Sequence, residues 1–96
     1  MLMISAHPGE HLRELLGDLA MTAGDLADAL HMPLSQVEAV LQEREGMSAD
    51  FAVRLSRWTG QSLEFWVRLD AHHRAVEALK AGRAEIEAIT PREDAA

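Results

Sequence analysis

Five residues near the N-terminus, His7-Pro8-Gly9-Glu10-His11, spell the H-x-x-E-H order of an inverted zinc-hydrolase motif. That chemistry needs two imidazoles on one face of a continuous helix, a further ligand downstream, and a glutamate placed to activate the metal-bound water. Proline and glycine in the first turn put His7 outside the helix, and no third ligand follows at a suitable spacing. The expectation is a helix entrance with His7 at its cap and His11 on the solvent side. His72 and His73 are adjacent, so on a helix their rings point about 100° apart and cannot chelate one ion. No serine or threonine stands beside a base in a nucleophile motif, there is no glycine-rich phosphate loop, and cysteine is absent. No catalytic residue, metal or cofactor is therefore expected, and Trp58, Phe65 and Trp66, at helical spacing, read as core.

What remains is recognition chemistry. The stretch from Thr22 to Leu41 has the spacing of a helix-turn-helix. Ala27 stands where two helices cross closely, Leu26 and Leu30 face inward from the first, and Val37, Val40 and Leu41 from the second. Met32-Pro33 marks the break, because the residue before a proline is biased out of the α region and proline suits a helix's first turn. Two short helices with a small residue at the crossing also occur in all-α domains that never touch nucleic acid.

The elements around this unit follow from caps and periodicity. Pro8-Gly9-Glu10 opens a helix whose Leu12, Leu15, Leu16 and Leu19 make one apolar stripe ending near Ala20. Thr22 caps the next helix in a capping box with Asp25, and that helix runs to Leu30. His31 falls where a short turn wants positive φ. A third helix spans about 34–42 and closes at Glu43-Arg44-Glu45-Gly46, with Gly46 as the turn residue. Ser48 caps a fourth helix carrying Phe51, Ala52, Leu55 and Trp58, which stops before Gly60. Ser62 caps a fifth, about 62–81, with two apolar stripes. Leu63, Trp66 and Val67 would close the core, whereas Phe65, Leu69, His73 and Val76 would face a second copy of the chain. Glu64 with Arg68, and Asp70 with Arg74, read as flanking i,i+4 pairs. The domain is expected over 1–81 and a weakly ordered tail, with one helical turn, over 82–96.

Length and composition agree with an all-α, five-helix domain. Ninety-six residues, 48% hydrophobic, support one small core. Such a chain buries about 65% of its unfolded surface, so dimerisation would add to its stability. No segment alternates like a strand. The apolar start Met1-Leu2-Met3-Ile4-Ser5-Ala6 has no basic flank and is too short for a signal peptide or a membrane span, which points to a cytoplasmic protein with no membrane partner. The formal charge of −7 works against a polyanionic partner. Within the helix-turn-helix and the helix after it, Arg44, Arg54 and Arg57 stand against Asp25, Asp28, Glu38, Glu43, Glu45 and Asp50.

Three blocks carry a family resemblance: His7-Pro8-Gly9-Glu10, then Leu26-Ala27-x-Ala29-Leu30-x-Met32-Pro33, and finally Gly46-Met47-Ser48-Ala49-Asp50 leading through Ala52-x-Arg54-Leu55 to Gly60-x-Ser62-x-Glu64-Phe65-Trp66. Over roughly 7–78 the chain resembles the HigA-type antitoxins, also called the VapI group, of the XRE or lambda-repressor-like helix-turn-helix class. The resemblance implies a type II toxin–antitoxin role: a homodimer that neutralises an mRNA-cleaving ribonuclease toxin and represses its own operon by placing the third helix in the major groove of operator DNA. Carried onto this sequence, it implies DNA contacts from Thr22, Leu34, Ser35, Gln36, Glu38 and Arg44. The chain departs from the pattern at Ala23, where relatives usually carry glutamine, and at Leu34, Glu38 and Glu45, where basic or amide residues are usual. Those departures define the alternative expectation, an antitoxin-derived protein-binding module that has lost operator binding.

Overall fold

The structure, a computed structural model, describes residues 6–93. Most of the apolar N-terminal stretch, Met1–Ser5, and the last three residues of the expected tail lie outside the described residues. The described residues form helices without strands: α1 (Pro8–Leu19), α2 (Ala23–Leu30), α3 (Leu34–Leu41), α4 (Ala49–Thr59), α5 (Leu63–Ala81) and α6 (Arg83–Glu87). The sixth helix is the single turn anticipated in the tail, and an Arg83–Glu87 ion pair of 2.8 Å spans it.

Caps set the boundaries. The hydroxyls of Thr22, Ser48 and Ser62 accept from the N–H groups of Asp25, Phe51 and Phe65, each at 3.1 Å. Caps of this kind contribute about 1 kcal/mol each. Asp25 returns the bond, accepting from the Thr22 N–H at 2.9 Å, so the capping box is complete. Three helices end on left-handed residues: Ala20 after α1 (φ 55°), His31 after α2 (φ 56°) and Gly60 after α4 (φ 80°). The turn after α3 departs from expectation. Its left-handed residue is Glu43 (φ 58°), not Gly46. Gly46 instead packs closely on α5: a Cβ there would lie 3.0 Å from the side chains of Arg74 and Asp70, which would have to give by a few tenths of an ångström.

The core is the one the helix-turn-helix spacing implied. Leu12 and Leu16 of α1, Leu26, Ala27 and Leu30 of α2, and Val37, Val40 and Leu41 of α3 meet Phe51, Ala52 and Leu55 of α4. Trp66 of α5, fully buried, closes it, and its indole N–H donates to the Thr59 hydroxyl at 3.3 Å. The rest of α5 corrects the two-stripe reading. Leu63 and Val67 are 43% and 47% exposed, whereas Phe65 and Leu69 are half-buried against the core. The inward arc runs from Phe65 and Leu69 through His73 and Trp66 to Asp70, and at 100° per residue Leu63 and Val67 fall past its Asp70 edge. Val76 is 2% exposed, so of the four residues expected to face a second copy it has no surface left to offer. Asp70 is no flank residue either: it pairs with Arg74 at 2.7 Å yet is itself buried.

The entrance of α1 holds the tightest contact. His7 is the N-cap, its Nδ1 accepting from the Gly9 N–H at 2.9 Å. A Cβ on Gly9 would fall 2.0 Å from the Val40 carbonyl oxygen, so α1 and α3 touch backbone to backbone. His7 is buried and meets His73 edge-on at 4.9 Å. Burial, then the His73 charge, hold its pKa below the ordinary 6.5, against the opposing pull of Glu43, Asp70 and a backbone bond at Glu45. His11 does not face solvent as expected. One turn further on, it lies edge-on to Phe65 and Trp66 at 5.5 and 5.6 Å, on the face α1 shows to α5.

Two outcomes follow. Gly9→Ala is expected to lower the unfolding free energy by about 1–3 kcal/mol, although alanine is the better helix former. Urea denaturation measures this, and a variant as stable as the parent would refute the contact. For His7, the unfolded chain binds the proton more readily than the folded one. The stability it confers is thus complete above about pH 6.5 and declines as pH falls through the lowered folded value. Melting curves from about pH 8 to about pH 4 should show this decline, and His7→Asn should reduce it.

Candidate nucleic-acid interface

The polar groups of the helix-turn-helix are arranged differently at its two helix entrances. At α2 the capping box places the Asp25 carboxylate on the positive end of the helix, which neutralises a natural phosphate site. The Thr22 oxygen is engaged as an acceptor there, while its hydroxyl hydrogen is available to donate. At α3 the N-cap is Pro33, with no side-chain cap and no acidic residue in the first turn. The N-terminal end of α3 therefore presents peptide N–H dipoles together with exposed Leu34, Ser35 and Gln36. Glu38, one turn on, is half-buried.

The sequence-derived contact residues thus divide by position. Leu34, Ser35 and Gln36 share the exposed first turn of α3, Glu38 stands behind them, Thr22 opens α2, and Arg44 is exposed beyond the C-terminal end of α3. Gln36 has the donor–acceptor pair that reads an adenine edge, Ser35 can serve either base type, and Glu38 can accept from cytosine. Arg44 has the chemistry of a phosphate contact.

The guanidinium groups nearby have different tasks. Arg13 pairs with Glu43 at 2.7 Å and also donates to the Leu41 carbonyl, which fastens α1 to the end of α3. The Arg13 hydrogen bond and charge hold the Glu43 carboxyl below its usual range. Arg54 donates to the carbonyls of Leu30 and His31 at 2.9 and 2.8 Å and to Asp50 at 3.0 Å, tying α4 to the end of α2. Arg44 is held by a neutral amide, its Nε donating to Gln42 Oε1 at 3.0 Å. Sequence reasoning missed Gln42, and the signal was present: an amide two residues before a lone arginine on a closing turn. It also missed the structural use of Arg54, whose partners lie 23 and 24 residues away.

The H-x-x-E-H residues are not brought together as ligands. His7 uses Nδ1 to cap α1 and His11 packs on aromatic rings of α5. Among the described residues no three His, Asp or Glu side chains are grouped to hold a metal ion, and no helix is long and apolar enough to cross a membrane.

Comparison with known proteins returned no matching family model. Virulence-associated protein I of Dichelobacter nodosus is 38% identical over 68 residues, which are 70% of this chain and 63% of that protein, so the chain spans less than two thirds of that relative. An addiction module antidote protein of a HigA family from Coxiella burnetii is 39% identical, with a TM-score of 0.88 over 91% of this chain and 97% of its own. The Pseudomonas aeruginosa antitoxin HigA, solved with the higBA promoter, is 34% identical, with a TM-score of 0.87 over 92% of this chain and 98% of its own.

Proposed function

This chain belongs to the HigA family of antitoxins, and from that premise we propose that it is the antitoxin of a type II toxin–antitoxin module, a cytoplasmic homodimer that represses its own operon and neutralises an mRNA-cleaving toxin. One observation carries the DNA-binding part. The first turn of α3 is uncapped, free of carboxylates and exposed, with Ser35 and Gln36 on it and Arg44 beyond the other end of the same helix. The likeness to an antitoxin solved with promoter DNA supports the same reading. In this reading α3 enters the major groove, Gln36 and Ser35 read base edges, and Arg44 and Thr22 fix the register on the phosphates. The dimer forms along α5, where Phe65, Leu69 and His73 keep part of their surface. A toxin partner is implied by the family.

A second reading, a toxin-binding module without operator binding, draws on the Asp25 carboxylate at the start of α2 and the overall charge of −7. Gel-shift titration against DNA upstream of the gene separates the two. Under the repressor reading Arg44→Ala weakens binding to all sequences and lowers the salt slope by about 0.9 per protomer. Gln36→Ala instead removes about 1–3 kcal/mol of discrimination at one base position. An absence of binding even at low salt would overturn the repressor reading in favour of the second. Co-expression with the neighbouring open reading frame tests the partner: rescue of growth supports neutralisation, and a neighbour that is not toxic removes it.

A further inference from the structure

Asp70 occupies an unusual place for a carboxylate. It lies in the middle of α5, is 7% exposed, and reaches across to the loop between α3 and α4. Its Oδ1 accepts from the Met47 N–H at 2.8 Å and its Oδ2 pairs with Arg74 at 2.7 Å. Arg74 in turn donates to the Met47 carbonyl at 3.1 Å. Two charged side chains, one helical turn apart, thus grip both backbone groups of a single loop residue. Gly46, just upstream, packs closely on the pair: a Cβ there would lie 3.0 Å from both side chains. Burying a carboxylate is costly unless its partners are well placed, and apolar packing of the Met47 side chain, already 3% exposed, would hold the loop in the core without it. Hydrophobic burial is non-directional. What the ion pair adds is a fixed position and orientation for the loop backbone. Only Glu45 and Gly46 separate Met47 from Arg44.

We propose that Asp70 is a positioning residue for DNA binding: from α5 it fixes the α3–α4 loop so that Arg44 meets the phosphate backbone in register with α3. This rests on the operator-binding reading above. It makes a prediction opposite in sign to simple electrostatics. Removing a carboxylate from an acidic protein should tighten binding to DNA. Loss of the grip should weaken it, because the loop is then tied only at its α3 end, where the Arg44 and Glu45 N–H groups donate to the Ala39 carbonyl, and Arg44 is less closely held where the phosphate lies.

The test is gel-shift titration of the full chain on its upstream DNA at several salt concentrations, for the parent, Asp70→Ala, Asp70→Asn, Arg44→Ala and the Asp70→Ala/Arg44→Ala double variant. Circular dichroism establishes which variants keep the parent's helix content. Asp70→Ala is expected to bind about three- to tenfold more weakly, with a salt slope reduced toward that of Arg44→Ala. The double variant should bind no more weakly than Arg44→Ala alone, because both substitutions remove one contact. Asp70→Asn, which keeps an acceptor for the Met47 N–H but loses the ion pair, should fall between the parent and Asp70→Ala, and it carries the test if Asp70→Ala does not fold. Folded Asp70 variants that bind as tightly as the parent or tighter, with an unchanged slope, overturn the inference. Failure of the parent itself to bind overturns the repressor reading instead, and with it this one.

Discussion

The arrangement depends first on a contact between two backbones. At Gly9 the entrance of α1 lies so close to the Val40 carbonyl that a single methyl group would collide with it. The position and tilt of α3, the helix that meets DNA in the proposed mode, are set by this approach. The surrounding bonds reinforce it from both sides. His7 caps α1 at the contact, and Arg13, on the same helix, donates to the Leu41 carbonyl and pairs with Glu43. The helix-turn-helix is thus oriented by α1 as much as by its own turn. The same contact explains why a proline-glycine start, which resembles a zinc motif in letters, belongs to packing: His7 is drawn into a cap and His11 into the aromatic joint with α5.

Much of the fold was legible in the sequence because its signals are local. The caps at Thr22, Ser48 and Ser62, the small residue at the crossing and the left-handed positions of His31 and Gly60 each depend on residues a few positions apart. The failures were of another kind. Periodicity on α5 gave two apolar stripes but not the phase at which the helix docks, and the choice was made by Trp66 and Asp70 turning inward together. Gly46 was read as a turn former, whereas it packs closely on Asp70 and Arg74, whose positions lie more than twenty residues downstream. Asp70 looked like half of a surface pair because nothing near it in sequence reveals the Met47 backbone it binds. In the candidate interface, the exposed first turn of α3 could be read from Pro33 and the residues after it, and the Gln42–Arg44 pair from its local spacing, while the roles of Arg13 and Arg54 required the tertiary structure.

The charge distribution makes better sense at the level of individual bonds than as a net value. An overall −7 argues against a polyanion, but several of the carboxylates near the helix-turn-helix are occupied. Asp25 closes a capping box, Glu43 neutralises Arg13, and Asp50 braces Arg54 as it spans to the end of α2. Arg44, by contrast, rests on a neutral amide. Acidic residues inside such arrangements stabilise the scaffold, and the entrance of α3 has none in its first turn.

Ala20, His31 and Glu43, all non-glycine residues with left-handed backbones, stand before α2, between α2 and α3, and after α3. Each such residue carries on the order of 1–2 kcal/mol of conformational strain. Among the described residues, left-handed strain at non-glycine positions is therefore concentrated around the two helices of the helix-turn-helix. Those joints are spring-loaded: packing of the helices on either side holds each of them in a backbone conformation that the residue alone disfavours. A partner that locks α2 and α3 in place would hold all three joints closed together.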